Sequence, residues 1–384
     1  MKAVAYFLRF LQILVILLVV SPLLMLLWWF FTPKVPLALT VVDKTVLNTE
    51  YEEHASLFWW LRHEKRSHPQ TNKVYKIASD YYGFYPGKLK KYEIKGLSQL
   101  SEKQLDSVVT NSSHLYFTDN YGIFSLEWDN KAQEGERSSI IYGGLTKADL
   151  KVMQMAKEQG KTIITEFNCI GSPTANAERK AFEKTFGLRW SGWIGRFVDN
   201  LDTTQNLEIP HWMKNGYVQQ HGRWPFKKGG IVFVNESDQI EILEDSNCLT
   251  YPVPIIVTSD SIRQHLAVND SMPYPFWFDI MINDSLDVWA NYQLQLTPRG
   301  DSVMRHWGLP TRFPAILAHE GSDYRFYYFA GDFADNPVQL KRSYLKGIRF
   351  FREFFYDPTE PSDRNYFFWE FYLPLLDKIL GEAR

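Results

Sequence analysis

The residues best placed to do chemistry are acidic and amide side chains that directly follow short apolar runs. Asp43 follows LALTVV, Asp119 follows HLYFT, Glu166 and Asn168 follow KTIIT, and Asp332 follows RFYYFAG. Runs of this length and composition are typical of buried strands. Ligands of open α/β sheets bind beyond the carboxyl ends of the strands, so we expect these side chains to share one crevice.

Such a crevice is compatible with three kinds of chemistry. Two carboxylates at a separation of about 5–9.5 Å can perform acid–base work on a glycosidic bond. The same groups can bind sugar hydroxyls or a cation, or each Asp can simply cap the helix or loop after it. Glu is a poor cap, so Glu166 is the first candidate for catalysis, together with Asp43 and Asp332. Asn168 and Asp119 are expected to bind the ligand.

Aromatic residues indicate a second contribution to ligand binding. The chain has 13 Trp, 21 Tyr and 27 Phe, and aromatic rings can stack on the C–H faces of sugars. We expect Tyr82, in the segment DYYGFYP, and Trp193, in WSGWIGR, to contact carbohydrate. Arg196 of the second segment is expected to pair with an acidic ligand or a carboxylate. The alternative for the rings is that they fill the core, as most buried aromatics do.

Several other classes of site are excluded. The sequence has no phosphate-binding Gly-x-x-x-x-Gly-Lys-Ser/Thr loop, no His-Glu-x-x-His and no Gly-x-Ser-x-Gly, and its nine histidines lack ligand spacing. We therefore expect no metal site and no cofactor. A net charge of −2 gives no basic surface for nucleic acid. Two cysteines exclude a disulfide scaffold and a four-thiolate zinc site.

The segments around these residues alternate between strand and helix patterns. Helices are expected at about 50–64, at 146–159 after the capping residue Thr146, and at 175–186 before Gly187. This alternation predicts an α/β domain at 35–205 with an open, mostly parallel sheet. Pro, Gly and Trp become frequent after Asp202, which predicts a β-rich insertion or subdomain at 206–313. The last core strand and the C-terminal helices are expected at 314–384.

The first 34 residues predict a membrane anchor. Residues 10–31 carry no charge over 22 positions and end in Trp-Trp-Phe-Phe, and as a helix they would span about 33 Å of bilayer. We expect a single-pass protein that contacts lipid through these residues, with most of the chain extracytoplasmic. A peripheral hairpin or an inefficiently cleaved signal peptide stays open, because Pro22 interrupts the run.

The order of these motifs resembles the class I glutamine amidotransferase-like superfamily. The resemblance rests on Gly143-Gly144, on 146–149 before a helix, on Gly160-Lys161 before the strand into 166–168, and on 328–332. It is closest to the non-glutaminase branch of trehalose-utilisation-type and β-galactosidase-associated domains. It implies a flavodoxin-like sheet and a link to carbohydrate metabolism, and it assigns no catalytic residue.

The glutaminase chemistry of that superfamily does not fit this chain. Its nucleophilic cysteine lies in Gly-x-Cys-x-Gly, whereas the sequence here is Phe167-Asn-Cys169-Ile-Gly171. The family's downstream His-x-Glu is also missing, because His319 and Glu320 are adjacent. We therefore expect Cys169 to be a packed thiol.

Two functions follow from the sequence, and it does not decide whether the protein is an enzyme. The first is an envelope protein that binds or processes carbohydrate, or another envelope ligand, at the strand ends. The second is a non-catalytic scaffold or accessory component of a cell-envelope or polysaccharide assembly, with a protein as its partner.

Overall fold

The computed structural model describes residues 2–129, 136–206, 208–266 and 268–381, without the side chains of 2–5, 7–11, 13–18, 261, 264 and 265. The strands are β1 (Val35–Pro36), β2 (Leu39–Asp43), β3 (Arg66–Ser67), β4 (Tyr82–Pro86), β5 (Tyr92–Lys95), β6 (His114–Asp119), β7 (Ile123–Phe124), β8 (Ile140–Tyr142), β9 (Thr162–Thr165), β10 (Leu188–Val198), β11 (Gly230–Asn235), β12 (Ile240–Glu244), β13 (Ile255–Thr258), β14 (Ser271–Pro273), β15 (Trp277–Asn283), β16 (Asp287–Gln293), β17 (Arg312–Glu320) and β18 (Arg325–Phe329).

The helices differ in length from one turn to thirty residues. The α-helices are α1 (Lys2–Phe31), α2 (Glu52–His63), α3 (Glu102–Thr110), α4 (Ser125–Trp128), α5 (Lys147–Glu158), α6 (Asn176–Phe186), α7 (His211–His221), α8 (Asp260–Leu266), α9 (Pro298–His306), α10 (Arg364–Phe367) and α11 (Leu373–Gly381). A π-helical turn, Phe368–Tyr372, joins the last two. Within 314–384, where the sequence predicts C-terminal helices, the structure also has two 3₁₀ segments, Leu340–Tyr344 and Ile348–Phe354.

Ten strands form the main sheet, in the order β14-β13-β16-β17-β18-β9-β6-β2-β4-β5. The block from β18 to β4 is parallel, and every other neighbour pair in this sheet is antiparallel. The predicted α/β class is confirmed, but the sheet is mixed and not mostly parallel. The reason is visible at β17 and β18, since the link from Glu320 to Arg325 is far shorter than a parallel crossover requires.

A second, antiparallel sheet has the order β12-β11-β10-β15. The region 206–313, predicted as a β-rich insertion, contributes β11, β12 and β15 to this sheet and β13, β14 and β16 to the main one. An isolated bridge pairs Phe278 of β15 with Gly331, just after β18. The start of β15 therefore lies beside the end of a core strand.

The core strands are buried along almost their whole length. All four residues of β9 are buried, and only the first residue of β6 and of β18 is partly exposed. Strands covered on both faces read as continuous apolar runs, which is why the sequence locates them. Helices α3, α5 and α6 pack together as one group, and α2 packs with α11.

Local signals set the ends of two helices as predicted. The Thr146 hydroxyl accepts a hydrogen bond from the Asp149 N–H at 3.3 Å, and the Asp149 carboxylate accepts one from the Thr146 N–H at 2.7 Å. This capping box satisfies two donors that the first turn of α5 cannot pair internally. Gly187 ends α6 with φ of 74°, a left-handed conformation that favours glycine.

The last turn of α1 is held by side chains of the body. The Lys65 ammonium group donates to the carbonyl oxygens of Trp29, Phe30 and Thr32 at 2.9, 2.6 and 2.7 Å. The Trp29 indole N–H donates to the Arg62 carbonyl at 2.8 Å. A cation at the carboxyl end of a helix also interacts favourably with the helix dipole. The end of α1 is therefore fixed to the segment that follows α2.

The predicted membrane span, 10–31, lies within α1, and the side chains of 10, 11 and 13–18 are outside the described residues. Near the end of the helix, Trp28, Phe30 and Phe31 are exposed. Among the residues that the structure describes, no helix combines the length and the apolar character needed to cross a membrane. The anchor thus remains a prediction.

His63, at the end of α2, makes the stability of this region depend on pH. Its side chain is 2% exposed and faces Arg349 and Lys346, and burial followed by these cations lowers its pKa to about 3. Because its folded pKa lies below the unfolded value of about 6.5, its contribution is complete above pH 6.5 and is lost as the pH falls toward 3. We expect this group to cost about 2 kcal/mol of stability between pH 7.5 and 5.

Urea unfolding of wild type and His63→Phe across this pH range measures that contribution. We expect the difference in free energy of unfolding between the two proteins to change by about 2 kcal/mol. A constant difference would show that His63 does not carry the effect.

Candidate functional site

Three carboxylates meet beyond the carboxyl ends of the parallel strands. Glu53 comes from the first turn of α2, Asp119 is the last residue of β6, and Asp332 follows β18. One carboxylate oxygen from each lies within 4.8 Å of the other two. We call these residues the carboxylate trio. The sequence predicts a shared position for Asp119 and Asp332 but misses Glu53, because acids are common in first helical turns for reasons of the helix dipole.

The trio is shielded from solvent, which favours the neutral carboxyl form. Asp119 is 4% exposed and Asp332 is 6% exposed, and Glu53 is partly buried. Burial is the main reason why the pKa of Asp119 is raised, to about 7. It is also the main reason why the pKa values of Glu53 and Asp332 lie well above their ordinary values. Neighbouring carboxylates add to this, notably Asp43 beside Asp119 and Asp335 beside Asp332.

One arginine lies close to the trio but is engaged elsewhere. The Arg364 guanidinium is 3.2 Å from a carboxylate oxygen of Asp335, and its carbon lies 3.4 Å from the centre of the Phe276 ring. Its charge lowers the pKa of Asp332, although less than burial raises it. The trio therefore keeps an excess of negative charge when it is ionised.

Trp277 contacts one member of the trio through the backbone. Its carbonyl accepts a hydrogen bond from the Asp332 N–H at 3.3 Å, and its ring is stacked with Phe167 at 5.9 Å. The indole is partly exposed, and the Arg196 guanidinium lies 5.1 Å from its ring centre. Arg196 also pairs with Glu208 at 3.0 Å, so the predicted ligand-binding arginine has a structural partner.

Asn168 orients Asp119, one member of the trio. Its φ of 60° is left-handed, a conformation in which Asn is tolerated better than most residues. Its side chain and that of Thr45 hydrogen-bond to the Asp119 carboxylate, which also accepts from the Tyr121 N–H. These bonds lower the pKa of Asp119 in part and fix the orientation of its side chain.

Asp43, predicted as a catalytic group, is fully buried and already paired. One carboxylate oxygen contacts the His54 imidazole, and the other accepts from the Thr45 N–H at 2.9 Å. The second ring nitrogen of His54 lies 3.3 Å from the Ile77 carbonyl oxygen. In this arrangement Asp43 joins β2 to α2. Its negative charge contributes to the raised pKa of Asp119.

Glu166, the first catalytic candidate from the sequence, is also fully buried. It accepts hydrogen bonds from the N–H groups of Phe333 and Ala334, both at 2.8 Å, and from the Tyr116 hydroxyl. Burial raises its pKa to about 8, although these bonds lower it in part. The structure thus places Glu166 where it holds the loop that carries Asp332.

Tyr82 and Trp193 lie in different surroundings. Tyr82 lines a cavity of about 550 Å³ beside the first residues of β2. Other side chains that line this cavity are those of His68, Tyr75, Asp80, Tyr81, Tyr85 and Lys95. Trp193 is 7% exposed and packs in the core, 5.4 Å from the ring of Trp307 in an edge-to-face contact.

Cys169 has the surroundings of a packed thiol. It is 1% exposed, its pKa is raised by burial, and the Asn120 amide donates to its sulfur at 3.4 Å. A buried thiol with a raised pKa is a poor nucleophile. Cys169 and Cys248 are both free and buried, so they form no disulfide with each other.

Comparison with known proteins gives distant likenesses only. No family model and no curated protein matches the chain. Among solved structures, a cytoplasmic protein from Salmonella typhimurium LT2 matches with a TM-score of 0.37 and 10% identity, over 90% of this chain and 100% of that one. A ThuA-like protein from Bacteroides uniformis ATCC 8492 matches with a TM-score of 0.34 and 11% identity, over 87% and 97%.

Glycosidases are also among the matches. A beta-galactosidase from Bacillus circulans sp. alkalophilus has a TM-score of 0.30 and 11% identity, over 78% of this chain. This chain spans only 30% of the length of that enzyme. Likenesses with TM-scores below 0.5 show neither a common activity nor a common ligand. The resemblance seen in the sequence is thus supported only to the extent that ThuA-like chains are among the matches.

Proposed function

We propose that this protein binds carbohydrate at the carboxyl ends of its parallel strands. The observation that carries the proposal is the carboxylate trio together with Trp277, a partly exposed residue whose carbonyl accepts a hydrogen bond from the Asp332 N–H. Carboxylates accept hydrogen bonds from sugar hydroxyls, and an indole offers an apolar face to the C–H side of a sugar ring. Both kinds of group are held here by packed strands and hydrogen bonds, which limits the entropy lost on binding.

The spacing within the trio bears on whether bound sugar is processed. Retaining glycosidases place two carboxyl groups about 5–5.5 Å apart, one of them protonated at neutral pH. The trio has oxygens within 4.8 Å of one another, and burial raises the pKa of each member. Closely spaced carboxyl groups with raised pKa values make hydrolysis the reaction class to assay once a ligand is found.

The proposal includes attachment to a lipid bilayer through residues 10–31, with the body in the cell envelope. It is supported by the uncharged run of that segment and by the exposed aromatics at its end. Fractionation of cells that express the full chain tests it. Recovery in the membrane fraction, resistant to high salt and released by detergent, is expected. Recovery in the supernatant would contradict the anchor.

A thermal-shift screen of the full chain against an oligosaccharide panel tests the binding site, with Trp277→Ala as the variant. Trp212→Ala is a matched control, because Trp212 is also partly exposed and has an arginine, Arg137, 4.1 Å from its ring centre. We expect one class of glycan to raise the melting temperature of wild type and of the control. Trp277→Ala should weaken binding at least tenfold, since loss of a stacked ring removes about 1.4 kcal/mol or more.

Two results would contradict the proposal. A shift that is equal in wild type and Trp277→Ala would place the carbohydrate site elsewhere. The absence of a shift with any glycan would favour the second function, a non-catalytic scaffold of an envelope assembly. In that case the strand-end face would be tested against protein partners.

A further inference from the structure

No described cation forms an ion pair with the carboxylate trio. The cations nearest to this end of the sheet are already engaged, since Arg364 is paired with Asp335 and Lys44 with Asp149. The imidazole of His54 contacts Asp43. Three shielded carboxylates therefore lie close together, and none of them is paired with a described basic side chain.

Two oxygens of the trio also lack a hydrogen-bond partner within the described chain. These are Oδ1 of Asp332, on a side chain that is 6% exposed, and Oε2 of Glu53. Buried carboxylate oxygens are nearly always hydrogen-bonded or bound to a cation, because they have lost their water. By contrast, Glu166 and Asp43 nearby have partners on both oxygens. The unpartnered oxygens are thus confined to the trio among these five acids.

We propose that Glu53, Asp119 and Asp332 bind a calcium ion. All the protein ligands would be oxygen atoms, which hard cations prefer and which disfavour zinc and copper. The number of carboxylates favours calcium, because Mg²⁺ is usually bound through one or two carboxylates and keeps several waters. Because the oxygens lie within 4.8 Å of one another, a central ion would lie no more than about 2.8 Å (4.8/√3) from each of them, within reach of the 2.3–2.6 Å of Ca²⁺.

A calcium ion at this position would have coordination sites left for ligand. Ca²⁺ takes six to eight oxygen ligands, more than three carboxylates supply when each binds through one oxygen. Neighbouring hydroxyl groups of a sugar are suitable oxygen donors for the remaining sites. This use of the ion rests on the proposed carbohydrate function, whereas binding of the ion itself does not.

Isothermal titration of the EDTA-treated full chain with CaCl₂ alone tests the ion. We expect one site, a higher melting temperature in Ca²⁺ than in EDTA, and weaker responses to Mg²⁺. Asp332→Asn and Glu53→Gln should each lower the affinity at least tenfold. Asp279→Asn is the control, because Asp279 is a fully buried carboxylate with an unpartnered oxygen that lies outside the trio.

Several results would overturn the calcium site. The first is that Ca²⁺ produces neither heat nor a shift in melting temperature. The second is that both trio variants bind Ca²⁺ with the affinity of wild type. The third is that Asp279→Asn loses as much Ca²⁺ affinity as the trio variants do. Glu53→Gln keeps the test valid if Asp332→Asn does not fold, since Glu53 lies in the first turn of α2 and is only partly buried.

Glycan titrations with and without Ca²⁺ separate the two proposals. Calcium binding without any glycan response would keep the ion and remove the carbohydrate function. Glycan binding that is unchanged in EDTA, with no heat from CaCl₂, would keep the carbohydrate function and remove the ion. Glycan binding that requires Ca²⁺ and is lost in Asp332→Asn supports both.

Discussion

Glu166→Ala is expected to lower the free energy of unfolding by about 3–5 kcal/mol. The substitution removes the acceptor for the N–H groups of Phe333 and Ala334 and for the Tyr116 hydroxyl, all of them buried. Each buried donor left without a partner costs about 1–3 kcal/mol, and the lost side chain leaves a cavity as well. Urea unfolding followed by tryptophan fluorescence measures the loss.

Glu166→Gln is the matched variant for this prediction. Its side chain has the same size and keeps one carbonyl acceptor for the two N–H groups, so we expect a loss of about 1–2 kcal/mol. A structural role for Glu166 predicts that both variants lose stability in this order. If Glu166→Gln were as stable as wild type and had lost ligand binding, Glu166 would instead contact the ligand directly.

Lys44→Met is expected to destabilise the protein by about 3–5 kcal/mol, because it leaves the Asp149 carboxylate buried without its counter-ion. Both side chains of this pair are 1% exposed. The Lys44 ammonium also donates to the Gly144 carbonyl at 2.7 Å. The same Asp149 carboxylate oxygen accepts from the Thr146 N–H at the start of α5, so the pair joins the end of β2 to the cap of that helix.

A double-mutant cycle with Asp149→Asn isolates this interaction. We expect the double variant to be more stable than Lys44→Met alone, because it no longer buries an unpaired charge. Lys151→Met serves as the surface comparison. Lys151 pairs with Glu102 in an exposed ion pair, whose removal should cost less than about 1 kcal/mol. If Lys44→Met and Lys151→Met lost the same free energy of unfolding, the buried pair would contribute no more to stability than the exposed one.

The sequence predicts those parts of the fold that depend on local pattern. Strands β2, β6, β9 and β18 are continuous apolar runs, and the acids that follow them stand at the carboxyl ends of a parallel block. The capping box at Thr146 and the glycine stop at Gly187 follow from rules that span only a few residues. Such signals are present in the chain before any tertiary contact forms.

Local sequence pattern does not specify which distant segments pair. The antiparallel half of the main sheet and the second sheet depend on which strands become neighbours, and apolar alternation does not specify a partner. The start of β15 comes to lie beside the end of β18 through the bridge from Phe278 to Gly331. The backbone of Trp277 therefore contacts that of Asp332, a neighbour that the sequence pattern could not indicate.

The roles of individual acids show the same limit. Glu166 follows its strand as a catalytic residue would, yet its partners Phe333 and Ala334 lie 167 and 168 positions further along the chain. Glu53 belongs to the trio because α2 starts beside the ends of β6 and β18, and nothing in the first turn of that helix distinguishes it from Glu52. Position along a strand predicts proximity to the crevice, and the hydrogen bonds decide which oxygens remain available.

The hydrogen bonds from Lys65 to the last turn of α1 bear on how the body is oriented relative to that helix. Three carbonyl oxygens of the helix end are bound by one ammonium group, and the Lys346 N–H donates to the Met25 carbonyl one turn earlier, at 3.2 Å. These bonds fix the end of α1 directly to the body. Whatever holds the helix axis in the cell would also set the orientation of the body, and so the direction in which the carboxyl ends of the parallel strands point.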